Sequence, residues 1–211
     1  MGPASGSIPI LSGLLAGMLL TGVDRVRPGH PSPPDPPVMT AEQEAILDRG
    51  EVVMLGGLQE QSGWLTAVLD VAASPDDTFD AVMDIKARKP DLERIKTIEV
   101  YLHQTDRLGV FYEADVPFYE VSWNVLYELT SSVYWCTFAL DPDRDNGIDQ
   151  ATGSYHVVPV DGGSRLIYRS AAAGVFPAAP EWLRTRLAAS AATELLLGIR
   201  RRAEAAGSGG G

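Results

Sequence analysis

The chain has 211 residues, 45% of them hydrophobic and 21% charged, a balance that suits a folded globular core and excludes wholesale disorder and a polytopic membrane protein. Its formal charge of −11 has the wrong sign for a protein whose main partner is nucleic acid, because phosphate binding needs a basic surface. A single cysteine, Cys136, excludes an intrachain disulfide framework and a cysteine-based zinc cluster, and His30, His103 and His156 lie too far apart in sequence to suggest a metal site.

Residues 8–20, "IPILSGLLAGMLL", form an apolar run of signal-peptide length, shorter than a comfortable membrane span. No Lys or Arg precedes it and no clear Ala-x-Ala site follows, so two readings stay open. The protein is exported or periplasmic if residues 1–22 are a signal peptide, and cytoplasmic otherwise. "PGHPSPPDPP", residues 28–37, holds six prolines in ten residues and reads as an extended spacer. Residues 1–39 are thus expected to be a leader, 40–206 the folded domain, and 207–211, "GSGGG", a flexible tail.

"TAEQEAILDRG" opens the domain with a helix, for Thr40 is placed as N-cap, Gln43 completes a capping box and Gly50 ends it. "WLTAVLDVA", 64–72, alternates in the manner of a half-buried strand, with Leu65, Ala67, Leu69 and Val71 on one face. "SPDDTFDAVMDI" supplies Ser74 as the next N-cap and Pro75 as the first helical residue, and Phe79, Val82 and Met83 form its apolar stripe. A second short helix is expected over "KPDLERI".

The period then changes to two. Strands are predicted over 97–104, 109–116, 119–129, 133–140, 153–160 and 165–170, separated by polar or Gly/Pro-bearing turns suited to antiparallel hairpins. "DPDRDNGID", 141–149, is one such turn. Its glycine and its twelfth residue do not match a calcium loop. The chain closes on "PEWLRTRLAASAATELLLGIRRRAEAA", a long helix in which Arg200, Arg201 and Arg202 complement the C-terminal dipole. One strand, two short helices, six strands and a long helix predict an α+β fold in which a sheet of about seven strands is covered by that helix.

Several stretches, taken in this order, resemble the START/Bet v 1-like helix-grip superfamily, which includes polyketide cyclases and coenzyme-Q-binding proteins. They are "ASPDDTFDAVMD", "VFYEADVPFYEVSWNVLYEL", "GSYHVVPVDGGSRLIYRS" and the closing helix. The resemblance covers about Gly50 to Ala206. It implies a curved antiparallel sheet wrapped around the C-terminal helix, with a cavity between them. Where many relatives carry an Arg-Asp pair in the central strand, this chain has Trp123 and Asn124.

Period two names the residues that would line such a cavity: Tyr119, Val121, Trp123, Val125, Tyr127 and Leu129 on one strand, Val110, Tyr112 and Ala114 on another, then Tyr155 and Val157, and Leu166 and Tyr168. "AASAA", 188–192, would leave room beside them. The candidate ligand-binding set is Tyr112, Trp123, Tyr127, Trp135, Tyr155, Tyr168 and Glu194. Trp135 enters with its phase open, because both faces of "VYWCTFAL" are apolar; Glu194 enters as a carboxylate among Ala and Leu, with surface exposure as its alternative. His156, out of phase with Tyr155, is expected to face solvent.

No nucleotide-binding loop, serine elbow or His-Glu-x-x-His appears, and neither cofactor nor metal is expected. The expected partner is a hydrophobic small molecule (a lipid, quinone or polyketide-like compound), with transient membrane contact compatible with that role and oligomeric state left open. The alternative is a polyketide cyclase, aromatase or dehydratase on the same fold. Its acid/base group would come from Tyr112, Tyr127, Tyr168 or Glu194, or from His103 or His156, so the question of enzyme or carrier stays open.

Overall fold

A computed structural model describes residues 32–55, 64–116, 119–173 and 181–208. The apolar run at 8–20 lies outside them. Helix α1 (Ala41–Leu47) begins at the Thr40–Gln43 capping box, and the chain turns at Gly50, whose φ of 71° is costly for a side-chain-bearing residue. Strands β1 (Val53–Leu55) and β2 (Trp64–Val71) follow. Helix α2 (Pro75–Met83) starts where Ser74 accepts from the Asp77 amide, and a 3-10 segment, Lys86–Asp91, follows at once. The short helix predicted over "KPDLERI" thus lies a few residues earlier and winds more tightly.

Strands β3 (Ile95–His103), β4 (Arg107–Val116), β5 (Tyr119–Thr130), β6 (Trp135–Leu140), β7 (Gln150–Val160) and β8 (Gly163–Ala173) form an antiparallel meander before helix α3 (Glu181–Ser208). The sheet has eight strands, ordered β1-β2-β8-β7-β6-β5-β4-β3, so the last strand closes back against β2. The extra strand is β1, a three-residue edge piece too short to show alternation. Strand β6 starts two residues later than predicted, because Ser131–Val133 forms a 3-10 turn and Tyr134 takes a left-handed φ of 48°. Gly207 and Ser208, read as tail, continue α3.

Period two sorts the sheet as expected. Leu65, Ala67, Leu69 and Val71 of β2 join one buried core with Val110, Tyr112, Val125, Tyr127, Tyr155, Val157 and Leu166. Helix α3 presents Ala192, Leu195, Leu196, Ile199 and Ala203 to this core, a three- and four-residue spacing that keeps one helical face inward. Helix α2 adds Phe79 and Val82, and its buried Thr78 hydroxyl pairs with Ser164 on β8 at 2.8 Å.

On the other face a smaller cluster, Leu47, Val53, Val68 and Ile167, seats α1 on the sheet. Arg165 fastens it with a double fork, Nη1 and Nη2 to Glu44 at 3.0 and 2.7 Å, and Nε and Nη2 to Asp70 at 2.7 and 2.9 Å. No helix among the described residues is long and apolar enough to cross a membrane.

Candidate functional site

The inner face of the sheet carries an aromatic ladder that crosses five strands. Tyr112 on β4 stacks on its register partner Trp123 on β5, with ring centroids 5.5 Å apart and planes 14° from parallel. Tyr112 and Tyr127 share a hydroxyl–hydroxyl hydrogen bond of 2.8 Å. Phe138 on β6 lies 5.6 Å from the ring of Tyr127, 5.7 Å from that of Tyr155 and 6.2 Å from that of Tyr168. Tyr155 and Tyr168 close the row at 4.9 Å. Gly153 makes the row possible, since a Cβ there would stand 2.9 Å from Phe138 Cε1 and press on the Arg169 carbonyl.

Into this ladder the 3-10 segment inserts Arg88, which is only 2% exposed. Its Nη1 donates to the Tyr155 hydroxyl at 3.2 Å and its Nη2 to the carbonyl of Val82, in the last turn of α2. The guanidinium carbon sits 5.0 Å from the Tyr155 ring centroid and 5.8 Å from that of Tyr127, a cation-π arrangement. Nε has no hydrogen-bond partner, and no carboxylate pairs with the group among the described residues.

Burial opposes the Arg88 charge, and the guanidinium, the most basic side chain, nevertheless stays protonated. The tyrosines move the other way. Burial raises Tyr112, Tyr127, Tyr155 and Tyr168, with the Arg88 charge opposing it in each case, so all four are neutral donors at ordinary pH. The Cys136 thiol is pushed up to about 12, chiefly by burial.

Sequence reasoning missed Arg88, which stands between Lys86 and Lys89 in "KARKPD" and looks like any solvated cation there. The one usable signal was spacing. A 3-10 turn repeats every three residues, which puts Ile85, Arg88 and Asp91 on one side, and Ile85 is itself buried.

No family model matches the sequence, and no curated protein matches it. Solved structures do. The Thermus thermophilus protein TTHA0849 is similar over 68% of this chain and 98% of its own, with a TM-score of 0.60 and 20% identity. A STAR-related lipid transfer protein from Xanthomonas axonopodis matches over 72% and 92%, with a TM-score of 0.58 and 16% identity. The Zhui aromatase/cyclase from Streptomyces sp. R1128 matches over 69% and 93%, at 0.53 and 10%. The chain has the START/Bet v 1-like helix-grip fold.

Within that fold, two of the candidate ligand-binding residues lie away from the ladder. Trp135 is buried, but β6 turns Cys136 and Phe138 inward, so Trp135 packs on the opposite face, edge-on to His156 at 5.6 Å. Glu194 is exposed and accepts from Ser190 Oγ at 3.0 Å on the outer side of α3. The other five, Tyr112, Trp123, Tyr127, Tyr155 and Tyr168, are brought together. His156 does not face solvent: it is 8% exposed on the outer face, and burial, then Arg169, lowers its pKa to about 4. His103 is exposed.

The grip helix also differs from expectation. In "AASAA" Ala188, Ser190 and Ala191 are exposed, Ala189 is half-buried and Ala192 is buried, so most of that run faces away from the core. The arginines near its C-terminus make specific contacts. Arg200 Nη1 donates to the Gly50 carbonyl at 2.5 Å, Arg201 bonds Asp91 at 2.6 Å, and Arg202 bonds both Asp91 and the Ala87 carbonyl.

At the far end Asn124 ties down the 141–149 turn, its side chain donating to the Asp145 carbonyl at 2.9 Å and its backbone amide to Asn146 Oδ1 at 2.7 Å. Asp141 accepts from Tyr101 at 2.7 Å. No metal-holding group of acidic, His or Cys side chains occurs among the described residues.

Proposed function

We propose that the protein binds or carries a hydrophobic small molecule between the inner face of the sheet and α3, with residues 40–206 as the ligand-binding domain. Tyr112, Trp123, Tyr127, Tyr155 and Tyr168 would contact it. One observation carries this reading: phenol hydroxyls are gathered on a single face of the interior, where Tyr112 and Tyr127 satisfy each other at 2.8 Å. A core selected only for packing would use Phe, because each buried hydroxyl adds a desolvation cost that its hydrogen bond only offsets. The similar proteins are described as a lipid transfer protein and an aromatase/cyclase, which agrees with a fold built to enclose apolar molecules.

The enzymatic alternative, a cyclase or dehydratase, draws on the Tyr112–Tyr127 pair, whose raised pKa values make them neutral proton donors. Tyr127→Phe separates the two: carriage survives the change, whereas a catalytic hydroxyl, once removed, abolishes turnover and leaves binding intact.

The test is native mass spectrometry of freshly purified protein, set beside its denatured mass and an organic extract. A discrete extra mass that partitions into solvent supports carriage. A clean apo mass, together with no saturable binding of an uncharged solvatochromic dye, would mean a filled core.

A further inference from the structure

An uncharged ligand leaves the buried Arg88 unexplained. A guanidinium has five N–H donors. Here one is used on the Tyr155 hydroxyl, one on the Val82 carbonyl, and Nε–H meets nothing. Every partner it has is neutral. The aromatic faces of Tyr127 and Tyr155 and two oxygens solvate the charge without cancelling it. The half-buried Arg165 and Arg202, by contrast, meet carboxylates, Arg165 two of them and Arg202 Asp91.

A structural role for Arg88 as a cap on α2 accounts for the Val82 contact. That role needs one donor. It does not call for the remaining donors to be buried against four tyrosines.

We infer that Arg88 receives the anionic head of the ligand, and that the ligand is a monoanionic, carboxylate-headed amphiphile whose apolar body lies along the Tyr127, Phe138, Tyr155 and Tyr168 rings. This rests on the reading of the inner face as a ligand site. An oxygen anion would find Nε–H without a partner, and the Tyr155 hydroxyl, which accepts from Arg88 Nη1, keeps its own proton to donate. The charge count selects the class. Among the described residues the core holds one positive charge, with no Lys or second Arg and with tyrosines that stay neutral, so a monoanion is neutralised and a phosphate dianion leaves a buried negative charge.

The experiment compares dodecanoate with dodecan-1-ol at pH 8, measured by calorimetry on the full chain, in the wild type and in Arg88→Met. The wild type is expected to bind the carboxylate at least 10-fold more tightly than the alcohol. In Arg88→Met that preference is expected to vanish while alcohol binding persists, which also shows that the variant is folded. Equal binding of the two by the wild type overturns the inference and leaves the apolar site standing, as does a preference that survives in Arg88→Met. Binding of neither overturns the ligand site itself.

A measurement on the wild type alone guards against a variant that does not fold. With dodecanoate labelled at the carboxyl carbon, the NMR titration of the bound head is expected to fall below its value in water, because the guanidinium favours the anion. A head that titrates higher than in water lies in apolar surroundings away from Arg88, and the assignment fails.

Discussion

Replacing Gly198 by alanine tests how α3 is seated. In a solvated helix this change stabilises by up to about 1 kcal/mol, because alanine loses less backbone freedom. Here a Cβ at 198 would stand 2.7 Å from Asp91 Cβ and nearer still to its carboxylate. The Asp91 Cβ is fixed to the backbone, so relief requires the 3-10 segment and the helix to part. Overpacking of this kind costs about 1–3 kcal/mol. It also draws Asp91, whose side chain is 13% exposed, away from Arg201 and Arg202, which costs about another 1 kcal/mol.

The penalties exceed the gain, and Gly198→Ala is expected to destabilise by about 1–3 kcal/mol, read as a fall in Tm of about 2–12 °C for a chain of this size. Asp91→Ala removes the obstacle. In that background Gly198→Ala should recover its helix-propensity gain, so the double-mutant cycle, followed by urea unfolding, should show a coupling of about 2–4 kcal/mol. A Gly198→Ala protein more stable than wild type, or a cycle that closes to within about 0.5 kcal/mol, would refute the close seating of α3 on Asp91.

Three further outcomes are expected. The folded His156 pKa of about 4 lies below the ordinary 6.5, so the unfolded chain binds the proton first and stability falls as pH drops from about 6.5 towards 4. The full gap would amount to about 3 kcal/mol, and discounted for solvent screening it is about 2 kcal/mol; stability against pH for wild type minus His156→Gln should show that slope and be flat above about pH 7. Asn124→Ala removes the anchor of the 141–149 turn and should cost about 1–2 kcal/mol, with faster hydrogen exchange at the Gly147 amide, which donates to the Ser122 carbonyl at 2.8 Å. Trp135→Phe and Glu194→Gln, on the outer face and the solvent side, should change the affinity for an apolar probe by less than about 2-fold, whereas Trp123→Ala should weaken it about 10-fold or more.

The fold was legible wherever one periodicity dominated. Alternation in β2, β4 and β5 placed Leu65, Val110, Tyr112, Trp123 and Tyr127 inward, and caps at Thr40 and Ser74 located two helix starts within a residue. It failed where periodicity carried no information. In "VYWCTFAL" both faces are apolar, so counting could not fix the phase, and the left-handed Tyr134 sets it by starting the strand at Trp135. For Glu194 the exposed alternative is the one the helix adopts, since at about 100° per residue it lies about 200° from the inward Ala192.

Arg88 left only one trace in the pattern, its three-residue spacing from the buried Ile85. A basic residue in a short polar segment is solvated in most chains, and what buries this one is tertiary: α2 ends at Met83, the 3-10 turn follows at once, and Thr78–Ser164 and Asp91–Arg202 pin both sides of that passage to the sheet and to α3. Held there, the third residue of the turn can only point at the tyrosines. The buried cation beside the tyrosines is thus a residue whose placement depends on contacts from three separate parts of the chain.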